Sequence, residues 1–107
     1  MAIVPINEIN LLHSNICRAL GDPKRIQILY ALSNRPYPVS ALAKVLNSPQ
    51  STMSRHLAVL RQCALVTTER DGTSIIYHLA EPQIIDILDS MRQVLRRLLE
   101  RQSDALE

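Results

Sequence analysis

The chain has no tryptophan and no phenylalanine, only two glycines, two cysteines and three tyrosines, and between positions 23 and 68 no acidic residue at all. Each scarcity excludes something. Single-stranded nucleic acid is held largely by stacked aromatic side chains, which this chain can hardly supply. Two glycines build no glycine-rich phosphate loop and leave little loop for a pocket. No nucleophile stands beside a base, so no catalytic residue is assigned and enzyme chemistry is set aside. Cys17 and Cys63 are too few for a disulfide scaffold and too distant in sequence to define a metal site by spacing. No run of about 18 apolar residues occurs, and the first ten residues lack a basic segment ahead of an apolar one. The expectation is a cytoplasmic chain with no membrane partner.

At 107 residues, 47% hydrophobic and 21% charged, the sequence has the composition of one folded domain spanning 1–107 rather than of a disordered tail. The net charge is only +2, but it is unevenly distributed. Lys24, Arg25, Arg35, Lys44, Arg55 and Arg61 lie in the acid-free block, whereas from residue 80 onward six acids face four arginines. A basic block without acids suits a polyanion, because each neutralised phosphate releases counterions.

Hydrophobic period places the elements. A first helix is expected over residues 6–20, with Ile9, Leu12, Ile16 and Leu20 as its apolar row and Gly21 as its stop. Asp22 as N-cap and Pro23 as first helical residue open a second helix, which carries Ile26, Ile28, Leu29 and Leu32. Arg35-Pro36-Tyr37-Pro38 breaks it. Ser40 is expected to cap a third helix with Leu42, Val45 and Leu46 toward the core, and Asn47 to end it in a left-handed conformation. Ser48 and Pro49 repeat the cap-plus-proline signature ahead of a fourth helix. There Met53, Leu57, Leu60 and Ala64 form an apolar stripe. The opposite face presents Ser51, Arg55 and Gln62, flanked by Thr52 and Ser54, with Gln50 at the helix start.

After Ala64 the period becomes two. Residues LVTTER, then Asp71-Gly72, then TSIIYHLA read as a β-hairpin with Asp-Gly as its two-residue turn. Ile75, Tyr77 and Leu79 share one face, and His78 falls on the solvent side. Two helices joined by a tight turn and followed by such a hairpin make a winged helix-turn-helix. The fold class is therefore mainly α (α+β), in the order helix, helix, helix, helix, strand, strand, helix. Pro82 opens the last helix, residues 82–104, where Ile84, Leu88, Met91, Leu95 and Leu98 step by four and three. So long an apolar seam exceeds what one small core can cover, and it predicts a homodimer through this helix and the first.

Short polar side chains with one arginine suit base edges in duplex DNA. Arg55 matches guanine O6 and N7, and Gln50 matches adenine. Lys44 and His56 are assigned to phosphates, and Arg70 and Thr73 at the hairpin tip to the DNA backbone or minor groove. The rival reading is a winged-helix protein-interaction module without specific DNA binding, which an exposed apolar face on the fourth helix would favour; the face is polar.

The segments ALGDPKRIQILYAL, SPQSTMSRHLAVLRQCALV and ERDGTSIIYHL, covering about residues 19–79, resemble the second helix, recognition helix and wing of the ArsR/SmtB bacterial transcriptional repressors. The resemblance implies a dimer that binds an inverted repeat as a repressor and is released by an effector. It also implies that Gln50, Ser51, Ser54 and Arg55 reach the groove. The family's metal positions are not kept. Its paired cysteines align with Pro38 and Ser40, its last-helix ligands with Glu81, Gln83, Val94 and Arg97, and the thiol partner of Cys63 with Val59. Cys17 and Cys63 remain candidate sensing thiols. His13, spaced i, i+4 from Cys17, joins them only as a candidate soft-metal or metalloid set, and no cofactor is required.

Overall fold

The computed structural model describes residues 2–106; Glu107, counted above among the acids, lies outside them. Helix α1 (Ile6–Leu12) runs straight into a π-helical turn (His13–Cys17), and the chain stays helical to Ala19. The turn has a local cause. Asn15 Nδ2 donates to the Leu11 carbonyl at 2.8 Å and Ser14 Oγ to the same oxygen at 3.3 Å, competing with the ordinary ladder there. The shifted register splits the expected apolar row. Ile16 and Leu20 pack on the core, while Ile9 and Leu12 stay 44% and 53% exposed.

Helix α2 (Pro23–Asn34) opens as expected, with Asp22 Oδ1 accepting the Lys24 N–H at 2.8 Å, and buries Ile28, Leu29 and Leu32. The break after it holds a strand that the sequence pattern does not announce. Strand β1 (Tyr37–Pro38) pairs antiparallel with a strand some forty residues on, Tyr37 opposite Tyr77 and Pro38 opposite Ile76. Proline is tolerated because β1 is an edge. Helix α3 (Val39–Val45) follows at once, so Pro38, not Ser40, is its N-cap, and Ser40 lies in the first turn. Val45 is 54% exposed rather than in the core, and Ala43 is buried instead.

Asn47 has φ 50°, and the Ser48 N–H reaches the Ala43 carbonyl at 2.9 Å while the Asn47 N–H reaches Lys44 at 3.2 Å. This is a Schellman closure. It uses the backbone of Ser48, so the expected Ser48 cap is not formed; Pro49 precedes helix α4 (Gln50–Gln62) as an N-cap without a side-chain bond. The same closure ends α4, with Leu65 N–H on Leu60 O and Ala64 N–H on Arg61 O, both at 3.0 Å, and Ala64 at φ 61°. Ala64 therefore leaves the apolar stripe and is exposed, while Leu65 and Val66 take up the core.

Strands β2 (Val66–Asp71) and β3 (Ser74–Leu79) form the wing, and the sheet order is β1-β3-β2. Asp71 pairs with Ser74, so the two-residue loop is Gly72-Thr73, one position later than the Asp-Gly reading. Only Gly72 has positive φ, 64°, the pattern of a type II′ rather than a type I′ turn. Tyr77 and Leu79 pack on the core, whereas Ile75, out on the wing, is 46% exposed. His78 is half-buried rather than solvent-facing, its Nε2 3.3 Å from Glu69 on β2.

Helix α5 (Gln83–Leu106) follows Pro82. Its first turns belong to the core through Ile84 and Leu88, and Tyr30 Oη on α2 donates to Asp89 Oδ1 at 2.7 Å beneath Arg92. Burial, then the bond to Asp89, holds the Tyr30 phenol above its ordinary pKa, which keeps it a donor. Beyond Leu88 the seam is open: Met91, Leu95 and Leu98 are 51%, 52% and 43% exposed. The radius of gyration, 16.6 Å, exceeds the roughly 13 Å of a compact chain this long. The accessible surface, 7669 Å², is about a quarter above the norm for this mass.

Candidate nucleic-acid interface

Helix α4 is oriented by its apolar stripe. Met53, Leu57 and Leu60 are fully buried against α2 and α3, which turns Gln50, Ser51, Ser54 and Arg55 outward. Thr52 is half-buried on the flank. The start of α4 lies beside the wing tip: Gln50 and Thr73 line one shallow groove with Val39, Ser40 and Ser74. Ser40, assigned from sequence only a capping role, is thereby placed on this surface. Lys44 on α3 and Arg70 on β2 are exposed, and the two close contacts of basic with acidic side chains among the described residues, His78–Glu69 and Arg92–Asp89, involve neither.

The basic block is less available than its composition suggests. Lys24 Nζ donates to the Leu46 carbonyl at 3.2 Å, fastening the end of α3, and Arg35 stacks over Tyr37 with its Cζ 4.7 Å from the ring centre. Arg25 is half-buried, donates to Ala19 O and Arg18 O, and sets its Nη1 3.3 Å from His56 Nδ1. Arg35, Lys44, Arg55 and Arg61 are the exposed cations of the block, Arg35 lying over the Tyr37 ring. His56 is likewise half-buried, with Arg25 Nη1 against its Nδ1. Gln62, assigned to that face, accepts from Arg18 Nη2 at 3.2 Å. Spacing alone carried no sign of these contacts, because their partners are 31 and 44 residues apart in sequence.

The candidate sensing residues lie on two elements. Cys17 and His13 are exposed in the π-helical turn, and Cys63, half-buried, caps the end of α4. Among the described residues no three His, Cys, Asp or Glu side chains gather at metal-binding range. No described helix is long and apolar enough to cross a membrane.

Comparison with known proteins agrees with this architecture. The profile of the bacterial regulatory proteins of the arsR family matches residues 22–68, from the cap of α2 to the start of the wing. The HTH-type transcriptional regulator KmtR of Mycobacterium tuberculosis is 41% identical over 69 residues, 64% of this chain and 53% of KmtR. For the similar NmtR of that organism the covered share is 60%, so the chain spans little more than half the length of these two relatives. Rv0081, an HTH-type regulator from M. tuberculosis, is 35% identical over 90% of this chain and 85% of its own. Its crystal structure superposes with a TM-score of 0.76 over 94% and 98% of the two chains. Mb0332 of Mycobacterium bovis, a homodimeric winged helix-turn-helix DNA-binding domain, superposes with a TM-score of 0.74 at 27% identity, over 94% and 95%. A winged helix-turn-helix in which α4 is the second helix of the motif, with relatives of this coverage and identity, belongs to the arsR family of bacterial regulatory proteins.

Proposed function

We propose that the chain is a cytoplasmic transcriptional repressor that binds an inverted repeat in duplex DNA as a homodimer and is released by an effector. One observation carries the reading: a helix with no acidic residue, its apolar side locked in the core, turns Gln50, Ser51, Ser54 and Arg55 outward beside the wing tip. Side chains of that length and chemistry fit the major groove. Thr52 flanks them, while Lys44, Arg70 and Thr73 are placed to meet the backbone or minor groove. The open seams of α1 and α5 support the dimer, and a twofold protein implies a twofold operator.

Electrophoretic mobility shift with duplexes from the chain's own upstream region, at two salt concentrations, tests the proposal. A specific complex is expected at low salt and weakens as salt rises; none at low salt would favour the protein-interaction alternative. Arg55→Ala is expected to cost about 1 to 3 kcal/mol on the operator and little on unrelated duplex, relaxing discrimination at one base pair. A uniform loss on every sequence, with a shallower salt slope, would make Arg55 a phosphate contact. If an effector acts on sulfur, its targets are Cys17 and Cys63, and serine at both positions removes its effect on the complex.

A further inference from the structure

We infer that Arg25 is a positioning residue for DNA binding: it clamps α4, through the proton-free Nδ1 of His56, to the carbonyl end of the N-terminal helix. Its guanidinium is used on three sides. Nε donates to Ala19 O at 2.8 Å, Nη2 to Arg18 O at 2.9 Å, and Nη1 faces His56 Nδ1 at 3.3 Å. An arginine donates and never accepts, so a hydrogen bond across this contact requires His56 Nδ1 as the acceptor and the ring proton on Nε2. The planar fork of arginine is what lets one side chain serve three acceptors. A second tie, Arg18 Nη2 to Gln62 Oε1 at 3.2 Å, fastens the far end of α4 to the same segment.

The consequence concerns aim. Base contacts need side chains held to within about half an ångström, which requires their helix to be fixed from behind. Met53, Leu57 and Leu60 fix α4 against α2 and α3, but greasy contacts resist rotation and sliding less sharply than a forked hydrogen bond does. The element on the other side of the clamp carries the exposed Ile6, Ile9, Leu11 and Leu12. A partner protomer seated there would thus set the pose of α4 through Arg25 and Arg18. This inference rests on the DNA-binding reading above.

The surroundings of His56 fix the sign of its charge dependence. Facing it from α2 is Arg25; Arg18 of the N-terminal segment is turned to Gln62, and on α4 itself stand the exposed Arg55 and Arg61. Lys24 on α2 is directed to Leu46, and Asp22, the acid nearest to Arg25 in sequence, is occupied as the cap of α2. Among the described residues no carboxylate lies within 4.0 Å of the side-chain nitrogens of Arg25 or His56. A proton on Nδ1 would set an imidazolium against a guanidinium with no carboxylate between them, and the clamp would open.

The test measures operator affinity by fluorescence anisotropy for wild type, His56→Asn, whose amide oxygen can replace Nδ1, and His56→Lys. His56→Asn is expected to retain most of the affinity. His56→Lys is expected to lose at least about tenfold although it adds a positive charge. A phosphate contact predicts the opposite, namely tighter binding with lysine, and that result overturns the inference. Nitrogen-15 NMR of the free protein gives a reading without DNA: the His56 ring should be the Nε2–H tautomer, and Arg25→Met should abolish that preference. An Nδ1–H tautomer in wild type overturns the clamp even where operator binding is intact. Absence of any specific wild-type complex overturns the DNA-binding reading instead.

Discussion

Leu57→Ala is expected to lower the free energy of unfolding by about 2 to 5 kcal/mol, as large-to-small changes at fully buried positions do. Leu57 is 0% exposed and sits midway along α4, where the helix meets Ile28 and Leu29 of α2 and Leu42 of α3 in one cluster. The tight closures at both ends of α4, through Asn47 and Ala64, leave the helix little freedom to slide into the void. A domain of this size holds a total stability of about 5 to 15 kcal/mol, so the variant sits near the edge of folding and loses operator binding with its fold. Urea titration at one protein concentration measures it, since stability and dimerisation are linked. The midpoint should fall at an unchanged slope. Ala58→Ser, on the exposed side of the same helix, should stay within about 0.5 kcal/mol. Equal midpoints for the two variants would mean that the stripe of α4 is not what orients it.

The features of this fold that are legible in sequence are those decided within a few residues. Asp22-Pro23 starts α2 because a short acceptor side chain and a preset φ act on the very next turn. Met53, Leu57 and Leu60 reveal the buried side of α4 because a helix repeats every 3.6 residues wherever it lies. The alternation from Val66 to Leu79 announces the wing for the same reason. What stays hidden is what a distant partner decides. Strand β1 exists only because β3 offers it a ladder, and its prolines argue against a strand when read alone. The π-helical turn depends on which carbonyl Asn15 finds, and the one-residue shift of the hairpin loop depends on register with the sheet.

The candidate interface divides along the same line. Gln50, Ser51, Ser54 and Arg55 are displayed as their helical phase dictates. His56 and Gln62 are equally polar by composition, and sequence does not show that Arg25 and Arg18, brought in from the N-terminal half of the chain, lie against them, His56 half-buried and Gln62 still exposed. Composition misleads about charge for a related reason. Lys24 and Arg25 count as basic residues, yet their nitrogens are turned to partners within the fold, which leaves Arg35, Lys44, Arg55, Arg61 and Arg70 as the exposed cations between residues 23 and 70.

Leu95→Glu is expected to convert the proposed dimer to monomer at micromolar concentration and to weaken operator binding by about a hundredfold or more, the range over which linking two binding units raises affinity. The seam of α5 gives the reason. Ile87, Met91, Val94, Leu95 and Leu98 lie on one side of the helix, each between 43% and 52% exposed, and α1 adds Ile6, Ile9, Leu11 and Leu12. The chain exposes roughly 1,600 Å² more than a compact fold of its mass, within the range of about 1,000 to 2,500 Å² that each protomer of an obligate homodimer hides. Twofold symmetry would bury the new carboxylate twice in an apolar contact, at a cost of several kcal/mol for each ion. The protomer itself should survive, because Ile84 and Leu88 anchor α5 ahead of the substitution and glutamate is a good helix former. Gln93→Glu makes the same change of charge on the opposite side of α5 and should leave both mass and affinity unchanged. Sedimentation equilibrium reads the first quantity and anisotropy the second. A Leu95→Glu protein that still sediments as a dimer would place the interface elsewhere. A monomer that keeps full operator affinity would separate dimerisation from recognition and remove the argument for a twofold site.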